Sequence, residues 1–498
     1  MLRIVVVGGG TAGWMAAAAL SSVLPRGKVA VRLIESEAIG IVGVGEATLP
    51  HIRAFNETIG VDERAFMLAC FATYKLGIEF VSWGALGERY IHPFGVFGRE
   101  LSGIPFHQLA IAHGADDDFG AYSLPVVMCR EGRFARPEGD PRSVASTFGY
   151  AYQFDATKYA PFLRRHAQER GVRRTEGIVE VVERHSESGD IAALRLSGGE
   201  RIEGDFFIDC TGFRGLLIEE TLQAGYERWD HWLPCDRAVA APCEASERIV
   251  PYTRAMARDA GWQWRIPLQS RIGNGYVYSS SFTTDDQAEK LLRQNVEGSL
   301  LAEPKRLRFT TGRRQKFWSH NCVAVGLSGG FLEPLESTSI HLIQVAITNF
   351  VELFPIEGLG YAEERDAYNA MMVREFERVR DFLILHYHVT RRDDTEFWNY
   401  VRTMKVPDSL SEKMALFESS GRVARYSQGL FLEPSWLAVY LGQGMRPRRT
   451  DVRAEARDPD KTREWLARLR TEVLEAARSM PSHEEALAAL APAIEAAE

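Results

Sequence analysis

Hydrophobic and polar positions change their period along the chain, and the first change lies near the N-terminus. A β-branched run at 4–7 ends in glycines, an alanine-rich segment follows at 11–24, and a second apolar run occupies 29–35. Two short apolar runs separated by a helix-length segment predict a strand, a helix and a second strand. The pattern indicates the opening of a doubly wound α/β sheet.

Downstream, the chain alternates between the same two patterns. The segment 152–172 predicts an amphipathic helix, and strand-like segments follow from about 177 to 210. The region 216–309 is rich in Trp, Tyr and Ser and alternates like antiparallel strands. From 363 onwards the pattern becomes helical and charged. No internal repeat or low-complexity linker marks a domain boundary.

Composition narrows the class of protein. With 498 residues, 45% hydrophobic and 25% charged, the chain predicts two domains or one domain with a large insertion. A net charge of -8 argues against nucleic-acid binding, which needs a basic surface. The sequence contains no membrane-spanning run and no signal peptide, so we expect a cytoplasmic protein. Six widely spaced cysteines predict reduced thiols and no metal site.

The glycine-rich run at 8–13 fits the G-x-G-x-x-G fingerprint of dinucleotide-binding folds. Glycines there permit a tight turn, close approach of a diphosphate, and close packing of helix on strand. An acid about twenty residues later, at the end of the second strand, can accept hydrogen bonds from ribose hydroxyls. The cofactor-binding residues predicted in this region are Gly8, Gly10, Thr11, Ala12, Gly13 and Glu35.

Two later glycine-rich loops favour FAD over NAD. The sequence GVGEATLP at 43–50 and the sequence GLSGGF at 326–331 both suit backbone contact with a large cofactor. Either loop alone would be an ordinary turn, and no second G-x-G-x-x-G marks a nicotinamide site, although some hydroxylases bind NADPH without one. The residues predicted to contact FAD here are Gly45, Glu46, Ala47, Thr48 and Gly326.

Four segments carry a resemblance to a known family. Residues 262–267 read W-Q-W-R-I-P, which resembles the W-x-W-x-I-P signature of flavin-dependent halogenases of the tryptophan-halogenase family. The loop at 43–50 and the segments 331–343 and 381–398 match the same family. In isolation the tryptophan pair would indicate a core strand, but together with the glycine fingerprint these matches extend the resemblance from position 4 to about 444.

The resemblance implies a flavin monooxygenase-like fold. An FAD-binding Rossmann-type α/β domain would occupy 1–350, with substrate-region strands interleaved at about 216–309. A helical C-terminal region covering the substrate would occupy 351–498. A homodimer is compatible with this organisation.

The chemistry implied by the resemblance is halogenation of an electron-rich aromatic ring. Reduced FAD, dioxygen and a chloride or bromide ion give hypohalous acid, which passes through a tunnel to a lysine near the substrate. A glutamate close to that lysine assists the electrophilic substitution. The partners implied are a separate flavin reductase, which supplies reduced FAD, and a small aromatic substrate.

The lysine that matches the family is Lys75. At strand period Lys75, Gly77 and Glu79 would share one face, so the pattern alone favours a solvent-facing lysine paired with Glu79. The resemblance instead implies a catalytic lysine that donates to hypohalous acid or is itself halogenated. Burial would serve both, because it lowers the pKa of an amine.

The glutamate that matches is Glu336, whose carboxylate could take the proton released by the ring. Its sequence context also resembles a helix cap, and Glu333 is the better candidate for a capping or a structural role. The resemblance further places Leu335 at the cofactor and the amides of Thr338 and Ser339 at the halide. In many family members glycine occupies the position of Ser339.

The substrate-binding residues implied are His92 and Phe94, in the family's H-P-F-G motif, and Trp436. A proline turn with buried aromatic residues explains the first pair equally well. Tryptophan-specific members carry a Tyr-Tyr pair that helps to hold the amino-acid group, and the corresponding stretch at 421–427 lacks it. An indole or another electron-rich aromatic is therefore favoured over free tryptophan.

Two other functions agree with part of the pattern. A flavin-dependent aromatic hydroxylase would use the same cofactor and would not need a relay lysine. A flavin-binding redox carrier or sensor would need no substrate pocket at all. Lys75 together with Glu336 favours the halogenase over both alternatives.

Overall fold

The structure is a computed structural model, and it describes residues 1–38, 45–354, 360–424 and 429–490. The chain forms two compact units, each assembled from three segments. Unit 1 consists of Met1–Ala72, Phe154–His231 and Arg308–Glu377. Unit 2 consists of Thr73–Gln153, Trp232–Leu307 and Arg378–Glu498. The two units do not coincide with the ranges 1–350 and 351–498 predicted for the FAD-binding domain and the C-terminal region. Each unit contains residues from both ranges.

The strands are numbered in chain order. They are β1 (Leu2–Val7), β2 (Val29–Glu35), β3 (Glu46–Ala47), β4 (Thr73–Lys75), β5 (Gly77–Val81), β6 (Arg89–Pro93), β7 (Ala151–Phe154), β8 (Arg173–Glu176), β9 (Val179–Arg184), β10 (Ile191–Leu196), β11 (Arg201–Glu203), β12 (Phe206–Asp209), β13 (Tyr226–Arg228), β14 (Arg237–Cys243), β15 (Thr253–Arg258), β16 (Gly261–Pro267), β17 (Ile272–Tyr278), β18 (Lys305–Arg308), β19 (Gly312–Arg314), β20 (Trp318–Ser319), β21 (Cys322–Ala324) and β22 (Gly330–Phe331).

The helices follow the same numbering. They are α1 (Thr11–Val23), α2 (His51–Thr58), α3 (Glu63–Ala69), α4 (Phe106–Ala112), α5 (Leu124–Glu131), α6 (Ala156–Glu169), α7 (Asp285–Gln294), α8 (Thr338–Glu352), α9 (Ala362–His388), α10 (Glu396–Thr403), α11 (Asp408–Ser420), α12 (Glu433–Gly442), α13 (Val452–Glu455), α14 (Pro459–Arg478) and α15 (His483–Ala488). Short 3-10 turns include Gly326–Ser328 and Pro334–Glu336.

Unit 1 is built on a mainly parallel sheet in the order β20–β21–β12–β1–β2–β8. β1 pairs in parallel with both β2 and β12, and its residues Ile4–Val7 are buried. Continuous apolar runs are typical of parallel strands that are covered on both faces. The predicted doubly wound α/β fold is therefore confirmed, and α1 lies between the first two parallel strands in the chain.

Unit 2 contains a second sheet, in which β14, β17, β16, β15, β5 and β6 follow one another. Its pairings are antiparallel except for β15 with β5. On one face, Leu292 and Ala288 of α7 pack with Tyr276, Tyr278 and Val239 of the sheet. The opposite face of β16 carries the two tryptophans of the W-x-W-x-I-P segment.

Two predicted elements have other bounds in the structure. The segment 152–172 was predicted to be one helix, but β7 occupies Ala151–Phe154 and α6 begins only at Ala156. The helix starts there because the Asp155 side chain caps it, accepting from the Thr157 amide at 2.9 Å. The region 216–309 was predicted to be strands, but Leu216–Thr221 forms a π-helical turn and Asp285–Gln294 forms the helix α7.

Three further observations concern membrane-spanning helices, metal sites and cysteines. No helix within the described ranges is long and apolar enough to cross a membrane. The described residues also do not bring three or more His, Cys, Asp or Glu side chains together as a metal site. The six cysteines carry free thiols, five of them buried.

Candidate functional site

The first glycine-rich loop of unit 1 joins β1 to α1. Gly8 has a φ of +113°, and a Cβ there would lie 2.2 Å from the carbonyl oxygen of Cys210. A Cβ on Gly13 would lie 1.8 Å from the carbonyl oxygen of Gly8. Only glycine fits these two positions. A Cβ on Gly10, by contrast, would meet no described atom within 4 Å, so the loop is open on that side.

This opening fits the diphosphate of FAD. Gly10 is the N-cap of α1, whose first turn begins with Thr11 and Ala12, and none of the described side chains caps it. Uncapped amides at a helix N-terminus and the helix dipole both favour a bound phosphate. The residues predicted for the diphosphate therefore lie where that group could be held.

Glu35 ends β2 beside the same loop. Its carboxylate accepts from Trp14 Nε1 at 3.2 Å and from Arg174 Nε at 2.5 Å, and Arg164 lies 3.5 Å away. A Cβ on Gly9 would lie 1.6 Å from Glu35 Oε2, so the loop glycine makes room for this carboxylate. The acid is thus fixed at the end of the second strand, where ribose hydroxyls are recognised in dinucleotide folds.

The second glycine-rich loop of unit 1 packs against the beginning of α1. Gly326 has a φ of +77°, and a Cβ there would lie 2.8 Å from the Cβ of Ala12. The buried Ser328 hydroxyl donates to the carbonyl oxygen of Asp209 at 2.5 Å. Both loops therefore lie at the carboxyl edge of the parallel strands, where nucleotide cofactors bind in α/β sheets.

The third loop is described from Gly45 onwards; positions 43 and 44 lie outside the described residues. Gly45 has a φ of +131°, and Ala47 and Thr48 are buried. Burial raises the pKa of the Glu46 carboxyl to about 7. A carboxyl that is partly protonated near neutral pH repels an anionic cofactor less than a full carboxylate would.

This pKa leads to a prediction about stability. Below its ordinary pKa of 4.5, Glu46 is protonated in both the folded and the unfolded chain, whereas above about pH 7 the folded chain must bury a carboxylate. Glu46→Gln is therefore expected to raise the melting temperature of the cofactor-free protein by a few degrees at pH 8 and by clearly less at pH 5, where the folded chain holds the carboxyl protonated. Thermal unfolding at both pH values measures this.

The exposed Glu57 of α2 offers a control, and Glu57→Gln should leave the melting temperature unchanged at either pH. An equal shift for Glu46→Gln at pH 5 and pH 8 would contradict the assigned ionisation.

The helix α8 begins with the two residues predicted to meet halide, Thr338 and Ser339. Ser337 precedes them with a φ of +59°, a left-handed conformation that is uncommon for a residue with a side chain. No side chain caps this N-terminus within the described chain. The Thr338 hydroxyl is wholly buried, and no described group forms a hydrogen bond with it. A helix N-terminus with these properties suits a small anion.

The two glutamates before α8 are both fully buried. Glu336 ends a 3-10 turn and Glu333 precedes it, but the Glu333 side chain makes no capping hydrogen bond to that turn. Since Ser337 is the N-cap residue of α8, the capping role predicted for Glu333 is wrong. Leu335, between the two, is 1% exposed.

Lys75 ends β4 in unit 2 and is 0% exposed. Its ammonium nitrogen lies 5.1 Å from the ring centroid of Phe94, a cation–π distance. The expectation of a solvent-facing lysine is wrong. The chain leaves β4 at Leu76, so Lys75 and Glu79 belong to different strands. Glu79 forms ion pairs with Arg254 at 2.6 Å and with Arg89 at 3.4 Å.

A buried hydrogen-bond network holds the strand that carries Lys75. The Thr73 hydroxyl donates to the carbonyl oxygen of Pro267 at 2.8 Å and accepts from Gln153 Nε2 at 3.1 Å. Gln153 Oε1 in turn accepts from the Thr253 hydroxyl at 3.0 Å. Because these side chains are all nearly inaccessible, the network fixes β4 against β7, β15 and β16.

The predicted substrate residues of unit 2 lie in an aromatic cluster. The His92 ring is 5.7 Å from Phe382 and 6.2 Å from Phe431. Phe382 stacks on Phe431 at 3.9 Å and meets Trp436 edge-on at 5.3 Å. His92 and Trp436 therefore both contact the same phenylalanine, Phe382, while Phe94 contacts Lys75.

Sequence reasoning did not identify Phe382 and Phe431. Phe382 lies in the segment 381–398 that carries the resemblance, and Phe431 lies five residues before Trp436, so both were near recognised positions. The stretch 421–427 was predicted to lack an amino-acid clamp, and positions 425–428 lie outside the described residues.

Comparison with protein families now identifies the chain. The model of the family named tryptophan halogenase matches residues 3–459. The chain belongs to the tryptophan halogenase family. The tryptophan 6-halogenase SttH of Streptomyces toxytricini is 37% identical over 519 residues, which cover 98% of each chain.

Solved structures agree with this membership. Xcc4156, a flavin-dependent halogenase from Xanthomonas campestris, is 45% identical with a TM-score of 0.94, and 99% of each chain is covered. BrvH, a flavin-dependent halogenase from Brevundimonas sp. BAL3, is 43% identical with the same TM-score, over 98% of this chain and 99% of that one.

The protein is a flavin-dependent halogenase that uses FAD and a halide ion. The predicted enzyme class, cofactor and fold are confirmed. The roles of individual residues in this halogenase, including Lys75 and Glu336, stay predictions.

Proposed function

We propose that this halogenase substitutes an indole-type ring, with Lys75 holding the oxidised halogen and Glu336 taking the ring proton. The observation that carries the proposal is the complete burial of Lys75 with its ammonium over the Phe94 ring. A surface lysine would be hydrogen-bonded to water, which competes with hypohalous acid for it. A buried lysine can be reached only by small molecules that enter the protein interior.

Residues of unit 1 would hold the cofactor. The loop at Gly10, the first turn of α1 and the loop at Gly326 suit the diphosphate, and Glu35 suits a ribose. Bound in reduced form, FAD supplies the reduction of dioxygen by which halide becomes hypohalous acid. The uncapped N-terminus of α8 suits the halide, because its amides and the buried Thr338 hydroxyl can donate to an anion.

Lys75 can act in either of two ways. As an ammonium it donates a hydrogen bond to the oxygen of hypohalous acid and makes the halogen more electrophilic. As an amine it exchanges an N–H proton for the halogen and releases water. In both cases the halogen is transferred to a ring carbon, and a carboxylate such as Glu336 removes the proton from that carbon.

The aromatic cluster of unit 2 supports a planar, electron-rich substrate. His92, Phe382, Phe431 and Trp436 supply ring faces and edges to this cluster. An indole is favoured because the similar protein SttH is named a tryptophan 6-halogenase. A hydroxylase would use the same cofactor but gives no reason for a buried lysine.

The proposed partner is a separate flavin reductase. NADH alone should reduce the bound flavin only slowly, because the sequence contains no second dinucleotide fingerprint. The decisive assay combines the protein with FAD, a flavin reductase, NADH, bromide and a panel of indoles, and follows products by mass spectrometry. Hydroxylated products that form at the same rate without bromide would favour the hydroxylase.

Substrate preference forms a separate prediction. A zwitterionic amino acid needs partners for its carboxylate and ammonium, and leaving either one buried without them is unfavourable by several kcal/mol. Since the Tyr-Tyr pair is missing at 421–427, indole or a 3-alkyl indole should show a higher kcat/KM than L-tryptophan. Indole should react at its most nucleophilic carbon, position 3. A preference for tryptophan with a single benzo-ring product would contradict this.

A further inference from the structure

The strand β16 of unit 2 carries two buried tryptophans on one face. Trp262 and Trp264 have ring centroids 6.1 Å apart and are 1% and 8% exposed. The polar atom of Trp264, Nε1, is buried and forms no hydrogen bond with any described residue. An unsatisfied buried donor is unfavourable, so a ligand that accepts from it would be bound.

The neighbouring strands fix the orientation of this donor. Trp264 is paired with Ala255 of β15 on one side and with Gly275 of β17 on the other. A Cβ on Gly275 would lie 2.1 Å from carbon atoms of the Trp264 ring, so the indole lies directly on this glycine. The small neighbours hold the ring across the sheet, and its N–H direction is set by that packing.

The same strand leads towards Lys75. Pro267, three residues after Trp264, accepts through its carbonyl oxygen from the Thr73 hydroxyl of β4. Thr73 and Lys75 are two residues apart on that strand, so their side chains project from the same face. Trp264 lies roughly 10 Å along β16 from Pro267. Thr73, which contacts Pro267, lies about 7 Å along β4 from Lys75.

We propose that Trp264 Nε1–H donates a hydrogen bond to the oxygen of hypohalous acid on its way to Lys75. The donor requires an acceptor, and its neighbours on this face, such as Ala255, Gly275 and Ile266, make the surroundings apolar. Apolar surroundings favour a small neutral acceptor over an anion. Hypohalous acid meets these requirements, and the assignment of this ligand rests on the proposed function.

The consequence is measurable as leakage of oxidant. Trp264→Phe keeps a buried aromatic ring but removes the donor, so hypohalous acid should escape more readily before it reaches Lys75. The assay contains reduced FAD, dioxygen, bromide, indole and the diffusible scavenger monochlorodimedone. The ratio of brominated scavenger to brominated indole should rise about tenfold, the scale of one lost hydrogen bond to a buried donor, while dioxygen consumption stays unchanged.

Trp262→Phe is the matched control, because it alters the neighbouring ring on the same strand and face and leaves the Trp264 donor in place. Its ratio should stay within about twofold of wild type. A Trp264→Phe ratio equally close to wild type would overturn the proposal and would indicate that the N–H only binds a water molecule. If Trp264→Phe does not fold, 3-benzothienylalanine at this position replaces the N–H with sulfur in a ring of nearly the same shape.

A second readout does not depend on catalysis. Hydrogen peroxide resembles hypohalous acid in size and in its acceptor oxygen. In protein with ¹⁵N-labelled tryptophan, it should shift the indole N–H resonance that disappears in Trp264→Phe, and it should not shift that of Trp262. Absence of a shift at Trp264 would overturn the proposal.

The two proposals fail in different ways. If wild type brominates the scavenger but no indole, the proposed substrate is wrong. The role of the donor is then decided by comparing the rate of scavenger bromination in Trp264→Phe with the rate in wild type. If indoles are brominated but leakage and resonance do not respond to Trp264, only the present inference fails.

Discussion

Lys75→Ala is expected to abolish halogenation while dioxygen still oxidises reduced flavin at nearly the wild-type rate. The lysine belongs to unit 2, whereas the glycine loops that suit FAD belong to unit 1. Its removal therefore eliminates the group proposed to hold the oxidised halogen and leaves the cofactor loops intact. Product formation is measured by mass spectrometry, and flavin oxidation by its absorbance.

A buried lysine can also be structural, so the alanine variant needs a comparison. Lys75→Leu keeps an apolar side chain of intermediate volume beside Phe94 but cannot donate a hydrogen bond or accept a halogen. Both variants should bind FAD and melt near wild type, and both should lack product. If Lys75→Leu retained near-normal halogenated product, the catalytic assignment would be wrong and the lysine would serve packing alone.

Glu336→Gln is expected to lower turnover about 100-fold, the scale of one acid–base or electrostatic group. Glutamine keeps the shape of a fully buried side chain but cannot take the ring proton. Steady-state kinetics with indole and bromide measure the effect, which should appear mainly in kcat because ring binding does not require this charge.

Glu333 provides the control for this prediction. It is equally buried, lies three residues away, and differs from Glu336 in lying before the 3-10 turn. Glu333→Gln should change kcat by less than about tenfold in protein that still binds FAD. Equal losses in the two variants would indicate that the segment needs buried carboxylates for its structure, and would remove the specific role of Glu336.

The cofactor loops could be predicted from sequence because their requirements are local. A glycine with positive φ, a strand before it and a helix after it lie within about ten residues, so a short sequence motif is enough to predict the geometry of the loop. The start of α6 was harder to locate, since Tyr152 and Phe154 continue the apolar positions of the helical pattern, while pairing with a distant strand makes this segment β7. Only the Asp155 cap marks the change.

The environment of Lys75 could not be predicted for the same physical reason. Periodicity assumes that one strand continues from 75 to 79, but β4 pairs with β7 and β5 pairs with β6 and β15. The change of partner at Leu76 depends on residues far away in sequence. Likewise, the stacking of Phe382 on Phe431 joins positions 49 residues apart, which no local pattern records.

The division of each unit into three segments has a consequence for biosynthesis and for engineering. The chain passes from one unit to the other after Ala72, Gln153, His231, Leu307 and Glu377. No contiguous fragment therefore contains either core alone, and a ribosome must translate past position 377 before unit 1 has all its residues. A chimera made by exchanging a single C-terminal block would combine segments of one parent protein with segments of another within the same unit. Exchanging matched sets of segments is the route that preserves each unit.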